Sequence, residues 1–425
     1  MEKEVLKRVI VDNQKEVERY EVIARETADF DAYGCHVLVG ARRVGKSYIL
    51  YQRMQQLLKA GTGWDKMLYV NMEDERLADF KAEDFNRLLE AHGEMYGGRP
   101  MLFIDEIQNI EHWEKFARRM ADTGYKVMIT GSNSKMLSGE IASTLGGRYI
   151  AHEIYPYSLK EYLDANGVES DERALLGTET RAAIVRHASA YLHGGGLPAA
   201  ARMSAKRDYL NSVYQKMYIG DIMQRNGLTN SMGMRVLVRK MAESVCRPIS
   251  YNRLTNIMSS VGGKMSTATT IKYVEHCEDA WLLIRLRNIV AHLAEKESNC
   301  KYYFVDNGIL NLFMTDSDSM LLENVVALWL FRKYGHDSEK VFFYNDGSNE
   351  VDFYLPEEET AIQVSMTLRD EETRRREIGA LEKIGRRMPC RRRIVVTGEE
   401  TEEREVVGKD GNGIEIVVYW RFIMG

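Results

Sequence analysis

The chain has 425 residues, which is more than one hydrophobic core usually serves, so its length predicts about two to four domains. The 58 Lys and Arg residues against 63 Asp and Glu residues give a net charge of −5, which excludes a uniformly basic nucleic-acid coat protein. No apolar run approaches the roughly 20 residues of a membrane span. The five cysteines are scattered without a C-x-x-C pair, which argues against a disulfide framework or a structural zinc site. We therefore expect a cytoplasmic protein with reduced thiols and no membrane contact.

The N-terminal part of the chain alternates helical stretches with short apolar runs. Residues 1–28 are predicted to be helical, and four later runs are nearly all apolar, as strands buried on both faces of a parallel sheet must be. This alternation predicts an α/β domain with a doubly wound parallel sheet over residues 1–156. The four predicted strands are residues 36–39, 67–70, 101–104 and 127–130.

Three further domains are predicted after Pro156. Residues 157–237 are mostly helical and would form a lid or linker. Residues 238–305 would form a winged-helix-like domain. Residues 306–425 alternate helix and strand again, which predicts a separate α/β domain.

The winged-helix prediction rests on a helix-turn-helix pattern. Ser250 would cap the first helix, and a second helix would start near Ser266. Apolar runs at 281–284 and 302–305 would supply the strands of the wing. The second helix carries only Lys272 as a cation, so the motif is as compatible with packing as with reading DNA.

A phosphate-binding loop is the most specific motif of the sequence. It matches G-x-x-x-x-G-K-[ST] without a mismatch, between an apolar run and a helical stretch. The glycines allow backbone N–H groups to surround a phosphate, and the N-terminus of the following helix adds its dipole. Lys46 would pair with the β- and γ-phosphates, and the Ser47 hydroxyl would ligate Mg²⁺. The predicted nucleotide-binding residues are Gly40, Ala41, Arg42, Arg43, Val44, Gly45, Lys46, Ser47 and Tyr48.

An acidic pair follows the third predicted strand. Asp105 would lie beside the metal ion, and Glu106 would orient and deprotonate the attacking water. Such a pair is weakly informative alone, because acidic residues often follow strands. About sixty residues after a complete phosphate loop, it predicts a nucleotide hydrolase.

Polar residues beyond the second and fourth strands are further candidates for this site. Ser132 or Asn133 would contact the γ-phosphate or the attacking water, and Asn71 would contact Glu106. Arg148 follows two glycines beyond the fourth strand, although most arginines are surface or ion-pair residues. An arginine delivered to the γ-phosphate accelerates phosphoryl transfer about 10³–10⁵-fold.

These motifs, taken in order, resemble the prokaryotic AAA+-type ATPases that join an N-terminal ATPase domain to a C-terminal domain of unknown function resembling restriction endonucleases. The resemblance implies ATP binding and hydrolysis, a winged-helix-like middle and a nuclease-like end, and it implies an arginine-finger role for Arg148. It covers nearly the whole chain and includes GARRVGKS, VNMEDERL, LFIDEIQNI, ITGSNSKML, LGGRYIAHEIYPYSLKEYL, YLHGGGLPAA, YIGDIMQR, YFVDNGIL, LLENVVALWL and NEVDFYL.

The nuclease-like end departs from the pattern of active enzymes. Glu350 and Asp352, with Glu323 as a further member, resemble the metal-binding acids of restriction endonucleases. Gln363 stands where a further acid is expected, and Ser365 stands where a water-activating lysine is expected. A neutral amide is a weak metal ligand and serine carries no positive charge, so we expect a fold kept for binding without cleavage.

The sequence as a whole predicts a Mg²⁺-dependent ATPase whose nucleotide cycle rearranges C-terminal binding domains. One alternative is an interaction switch that binds ATP with negligible turnover, and another is an ATP-regulated nuclease. The sequence leaves open whether Arg148 acts in its own subunit or in a neighbouring copy. It also leaves open whether the chain forms a homo-oligomer. A DNA or protein partner bound through the C-terminal half is also left open.

Overall fold

The computed structural model describes residues 1–26, 30, 34–137, 141, 144–145, 149–315, 318–336, 339–398, 404–408 and 411–425. The chain divides into two compact units, Met1–Ile154 and Tyr155–Gly425. The first unit ends close to the predicted boundary at residue 156. The finer division of the remainder into three domains stays a prediction. No helix in the described part of the chain is long and apolar enough to cross a membrane.

The N-terminal unit is built on a five-stranded parallel sheet with the order β2-β3-β4-β1-β5. The four predicted strands are all present, and their residues are almost completely buried, as a doubly wound sheet requires. This confirms the predicted fold class. The fifth strand was not predicted, because its half-exposed YIAHE sequence lacks an apolar run. The strands are β1 (Cys35–Val39), β2 (Met67–Asn71), β3 (Met101–Asp105), β4 (Val127–Gly131) and β5 (Tyr149–Glu153).

Among the described residues, four α-helices of more than one turn flank this sheet. They are α1 (Lys3–Arg19), α2 (Lys46–Lys59), α3 (Asp84–Tyr96) and α4 (Trp113–Asp122). The buried face of α2 packs on the sheet through Ile49, Leu50 and Met54, which join a core with Tyr69 of β2 and Phe103 of β3. The core therefore lies directly beneath the helix that follows the phosphate loop.

The first helix ends at Arg19, so the prediction of a helix over residues 1–28 is wrong at its C-terminal end. Side chains of α2 form hydrogen bonds with backbone groups that would otherwise bond within a longer α1. Gln55 donates to the carbonyl oxygens of Val17 and Tyr20, each at 2.8 Å. Gln52 accepts from the Arg25 N–H at 2.8 Å and donates to the Arg25 carbonyl at 3.2 Å. Tertiary contacts thus replace the local hydrogen bonds of a helix.

The second unit begins with helices, as the sequence predicted for residues 157–237. A π-helical segment, Met217–Gln224, continues one of them. The helices are α5 (Leu159–Ala165), α6 (Glu172–Leu176), α7 (Thr178–Gly194), α8 (Pro198–Ala201), α9 (Lys206–Lys216) and α10 (Ser231–Glu243).

A helix pair and a small sheet follow. The helices α11 (Tyr251–Gly262) and α12 (Thr267–Asp279) are capped as predicted, since the hydroxyl of Ser250 accepts the Arg253 N–H at 3.4 Å and that of Ser266 accepts the Thr269 N–H at 3.1 Å. The antiparallel strands are β6 (Ile249–Ser250), β7 (Leu283–Leu286) and β8 (Asn299–Phe304), in the order β6-β8-β7, with α13 (Leu293–Ser298) before β8.

The strands β7 and β8 differ by a few residues from the strands predicted for the wing. The run 281–284 was predicted to begin a strand at Trp281, but this residue has a left-handed φ of +58° and lies in a turn before β7. Its indole is almost fully buried, so packing rather than strand pairing accounts for its apolar character.

The chain ends in a mixed six-stranded sheet with the order β13-β14-β12-β11-β10-β9. β10 and β11 form an antiparallel hairpin, whereas β11, β12 and β14 run parallel. The strands are β9 (Phe342–Asn345), β10 (Glu350–Leu355), β11 (Thr360–Ser365), β12 (Arg392–Thr397), β13 (Arg404–Val407) and β14 (Gly413–Val418). The helices are α14 (Asn307–Leu310), α15 (Asp318–Tyr334), α16 (Glu371–Ile384) and α17 (Tyr419–Phe422).

Candidate functional site

The phosphate loop joins β1 to α2, and two glycines explain its shape. Gly45 directly precedes α2 with a left-handed φ of +95°, which favours glycine. A Cβ atom on Gly40 would lie 2.1 Å from the carbonyl oxygen of Ile154, so only glycine allows this close approach. Arg43 also has a left-handed φ, of +67°. The motif therefore fixes a specific backbone path as well as supplying side chains.

Lys46 lies inside this loop with only 4% of its surface exposed. Its ammonium donates to the carbonyl oxygens of Gly40 at 3.1 Å and Ala41 at 3.0 Å. It also lies 3.7 Å from the Glu106 carboxylate. The buried charge is thus held by the same loop whose amides would bind phosphate, as expected for the phosphate-binding lysine.

Asp105 ends β3 and is 1% exposed. Thr130 donates its hydroxyl hydrogen to one carboxylate oxygen, and Tyr69 donates to the other at 3.3 Å. Burial raises the pKa of Asp105 to about 6, and the charge of Glu106 adds to this effect. The nearby Ser47 hydroxyl and Thr130 oppose this rise in the Asp105 pKa.

The side chains of Ser47 and Asp105 fit a magnesium ion. A hydroxyl and a carboxylate supply the hard oxygen ligands that Mg²⁺ prefers, and the ion normally completes its shell with water and substrate phosphates. Both groups lie at the carboxyl edge of the parallel sheet, next to the phosphate loop.

Glu106 has an unusual backbone conformation and well-defined neighbours. Its φ of +52° is left-handed, and its N–H donates to the Thr130 hydroxyl at 2.9 Å. Thr130 therefore connects the two acidic residues, because it accepts from one and donates to the other. Gln108 donates its amide N–H to the Glu106 carboxylate and, at 3.3 Å, to the Ser132 hydroxyl. Thr130 and Gln108 were missed by the sequence analysis, although both lie within the quoted motifs.

The predicted γ-phosphate contacts occupy different environments. Ser132 is 1% exposed and contacts Gln108. The Asn133 side chain accepts the Lys135 N–H at 2.9 Å and so stabilises the turn after β4. The expected contact between Asn71 and Glu106 is wrong, because Asn71 accepts the Glu73 N–H at 2.9 Å while Gln108 is the residue that contacts Glu106.

The other predicted nucleotide-binding residues form contacts around the phosphate loop. Arg42 forms a 3.2 Å ion pair with Glu73. Tyr48 is 41% exposed and its ring lies 5.4 Å from that of Tyr51. Val44 was predicted only as a loop residue, but its carbonyl accepts a 2.7 Å hydrogen bond from the Arg25 guanidinium, which ties the loop to the segment after α1. Arg148 lies outside the described residues.

Comparison with known proteins supports this description. Residues 33–163 match a family model described as an AAA domain. An uncharacterized protein of Methanocaldococcus jannaschii, MJ1544, is 30% identical over 424 residues, which cover 97% of this chain and 94% of that protein. The chain belongs to the same family as MJ1544. An uncharacterized protein of Haemophilus influenzae is 28% identical over 90% of this chain and 93% of its own length.

The AAA match agrees with the phosphate loop and the sheet, so the N-terminal unit is a P-loop domain of the AAA+ type. Solved structures similar to the chain include AMPPCP-bound DnaA from Aquifex aeolicus, with a TM-score of 0.26 and 16% identity over 64% of this chain and 87% of that one. Another is Cdc6p from Pyrobaculum aerophilum, with a TM-score of 0.25 and 11% identity over 77% and 98%. TM-scores this low support no conclusion about the present chain.

A second family model, a domain of unknown function named DUF8612, matches residues 185–319. It ends before the acidic residues at 350–352. The likeness of the C-terminal end to restriction endonucleases therefore remains a resemblance.

The structure does bring together the three predicted acids of the C-terminal unit, and it places a lysine among them. The ammonium of Lys301, on β8, lies 2.9 Å from Glu350, 3.2 Å from Asp352 and 3.4 Å from Glu323. Tyr303, two residues further along β8, donates to Glu323 at 2.7 Å. The sequence analysis considered a lysine only at position 365, where serine stands, and therefore missed Lys301. We call Lys301, Glu323, Glu350 and Asp352 the acidic cluster.

Lys301 is completely buried, and its charge depends on the acidic cluster. Burial opposes the charge, but the carboxylates of Glu323, Asp352 and Glu350 together raise the pKa of Lys301 well above its ordinary value. Burial also raises the pKa of Glu323 to about 7, with the charge of Asp352 adding to the shift and Lys301 opposing it.

Gln363 and Ser365 are engaged elsewhere. The Gln363 carbonyl oxygen accepts the Asp352 N–H at 2.9 Å, and its amide donates to Glu377 at 2.6 Å. The Ser365 hydroxyl donates to the Thr367 carbonyl at 3.0 Å. Among the described residues, no group of three or more His, Cys, Asp or Glu side chains is arranged to hold a metal ion. The acidic cluster therefore does not fit the metal that the endonuclease resemblance implies.

Proposed function

We propose that the N-terminal unit binds and hydrolyses ATP with Mg²⁺. The observation that carries this proposal is the convergence of four side chains around the phosphate loop. Lys46 lies 3.7 Å from Glu106, and Ser47 lies near Asp105 at the same edge of the sheet, where it lowers the pKa of that carboxyl. This combination provides a cation for phosphates, two oxygen ligands for a metal and a carboxylate to act as a base.

Binding of ATP would exchange the partners of Lys46. The ammonium now satisfied by the Gly40 and Ala41 carbonyls would turn to the β- and γ-phosphates, and loop N–H groups would bind the same oxygens. Ser47 and Asp105 would hold Mg²⁺, which neutralises charge on the transferred phosphoryl group.

Glu106 would orient and deprotonate the attacking water. In the present structure its carboxylate is engaged by Gln108 and lies near Lys46. When Lys46 turns to the phosphates, Gln108 would keep Glu106 oriented and would connect it to Ser132. Ser132 and Asn133 remain candidates for the γ-phosphate contact, and Arg148 is proposed as an arginine finger.

The nucleotide cycle would rearrange the C-terminal binding domains, for which we propose the predicted boundaries at 156, 237 and 305. A second candidate is an interaction switch that binds ATP with negligible turnover. The hydrogen bond from Gln108 to Glu106 favours this alternative, because a carboxylate that already accepts a hydrogen bond is a weaker base.

The two candidates differ in what Glu106→Gln does. If Glu106 is the base, the variant should bind ATP with parental affinity while hydrolysis falls by roughly 10²–10⁴-fold. A steady-state phosphate-release assay and calorimetric ATP titration would measure both quantities. The exposed Glu111 provides a matched control, since Glu111→Gln removes the same charge five residues away and should leave both unchanged. Hydrolysis by Glu106→Gln at the parental rate would contradict the proposed mechanism.

A further inference from the structure

A large cavity lies over the acidic cluster within the C-terminal unit. Its volume is about 1080 Å³, and Glu323, Glu350 and Asp352 form part of its lining. This volume slightly exceeds the usual range for small-molecule pockets, about 300–1,000 Å³. The cavity therefore has room for more than one nucleotide-sized group.

The lining of this cavity includes the carboxylates Glu371, Glu377 and Glu382, and it also includes cations that lack carboxylate partners. Arg374 and Lys383 on α16, Arg386 just after it, and Arg247 after α10 all line the cavity. Across the residues that the structure describes, none of these four side chains forms an ion pair or a side-chain hydrogen bond. Neighbouring cations differ in this respect, since Arg376 pairs with Glu377 at 2.6 Å. The four unpaired cations are thus available to a ligand.

The spacing of these cations indicates an extended polyanion. Arg374 and Lys383 are nine residues apart on one helix, which corresponds to about 14 Å along its axis. A single phosphate cannot reach both. Neutral polar side chains, Ser319, Ser348 and Asn349, also line the cavity. A ligand that combines separated negative charges with neutral hydrogen-bonding groups matches this lining better than an acidic peptide does.

The lysine of the acidic cluster explains how an anion can approach the three carboxylates that line this cavity. Lys301 lies among them at 2.9–3.4 Å and supplies a positive charge that is fully buried. A divalent ion would need the same carboxylate oxygens and would stand beside this ammonium, so like-charge repulsion opposes its binding. The positive charge that offsets these carboxylates is therefore supplied by Lys301 and not by a metal ion.

We propose that this cavity binds a single strand of nucleic acid without a divalent cation, with Arg374, Lys383, Arg386 and Arg247 contacting successive phosphates. Lys301 takes the place that a metal would have in the acidic cluster. This site is separate from the nucleotide site, and its occupation does not depend on ATP hydrolysis.

The experiment measures fluorescence anisotropy of a short labelled single-stranded DNA with the full chain and no ATP. Affinity should be the same, within about twofold, in EDTA and in Mg²⁺, and it should fall with rising salt. The double variant Arg374→Glu/Arg386→Glu should weaken binding by about tenfold or more and reduce the salt slope by about 1.4, at about 0.7 per lost phosphate contact.

Matched controls make the test specific. Arg173→Glu/Arg186→Glu makes the same charge change at two exposed arginines on α6 and α7 and should alter affinity by less than about twofold. Absence of binding, loss of binding in EDTA, or equal weakening by the two double variants would overturn the proposal. Displacement of the DNA by polyglutamate at equal charge concentration would also overturn it, in favour of an acidic peptide.

Discussion

Replacing Lys301 with methionine tests the central interaction of the C-terminal unit. Methionine keeps the length and flexibility of the lysine stem but removes the ammonium, so the side chain can still pack in the same space. The change leaves Glu323 and Asp352 buried without their cation, whereas the Glu350 side chain is 41% exposed and is partly solvated. Removing one partner of a buried ion pair costs about 3–5 kcal/mol. We expect a loss of that size in the free energy of unfolding at neutral pH.

The loss should depend on pH in a defined direction. The pKa of Glu323 is about 7 in the folded chain, above its ordinary value of 4.5, because burial disfavours its charge. The folded state therefore binds more protons than the unfolded state between these values, and stability falls as pH rises through this window. Without Lys301 the carboxylates repel each other more strongly once ionised. The deficit of the variant should be largest near about pH 8 and smaller near about pH 5.

Urea unfolding followed by tryptophan fluorescence would measure these differences, since the buried Trp281 and Trp420 report on this unit. Lys383→Met is a matched control at an exposed, unpaired position and should change stability by less than about 0.5 kcal/mol. Parental stability of Lys301→Met at both pH values would refute the reasoning.

Three further predictions concern the nucleotide site. Lys46→Ala should abolish ATP binding in a folded protein, because it removes the cation facing the β- and γ-phosphates, and unchanged affinity by calorimetry would contradict the assignment. At subsaturating Mg²⁺, ATP hydrolysis should decline as pH falls through about 6, because protonation of Asp105 competes with the metal ion, and excess Mg²⁺ should reverse the decline; a flat rate profile at low Mg²⁺ would argue against its role. If Arg148 acts on a neighbouring copy, Arg148→Ala should lose turnover but little ATP affinity, and mixing it with Glu106→Gln should restore activity. A rate that is independent of protein concentration, with no rescue on mixing, would exclude a shared site.

Features that depend on local physics were predictable from the sequence. The first four strands of the first sheet are apolar runs because both of their faces are buried, and this pattern is visible without a structure. The phosphate loop needs glycine at position 45 for its left-handed backbone. Ser250 and Ser266 mark helix starts because a hydroxyl next to the first turn satisfies a free N–H.

Features that depend on contacts between distant segments required the tertiary structure. The end of α1 at Arg19 is decided by Gln52 and Gln55 on another helix, which engage the following backbone. The link between Asp105 and Glu106 depends on Thr130, because β3 and β4 are neighbours in the sheet.

The acidic cluster shows the same limit most clearly. The linear motif assigns its lysine to position 365, where Ser365 stands. Lys301 instead reaches the cluster from β8, 22 positions before Glu323 and 51 before Asp352. A buried charge needs its partners close in space, and sequence separation does not limit which strand supplies them. The sequence by itself therefore determined the elements and the phosphate loop, whereas packing alone decided which charges meet.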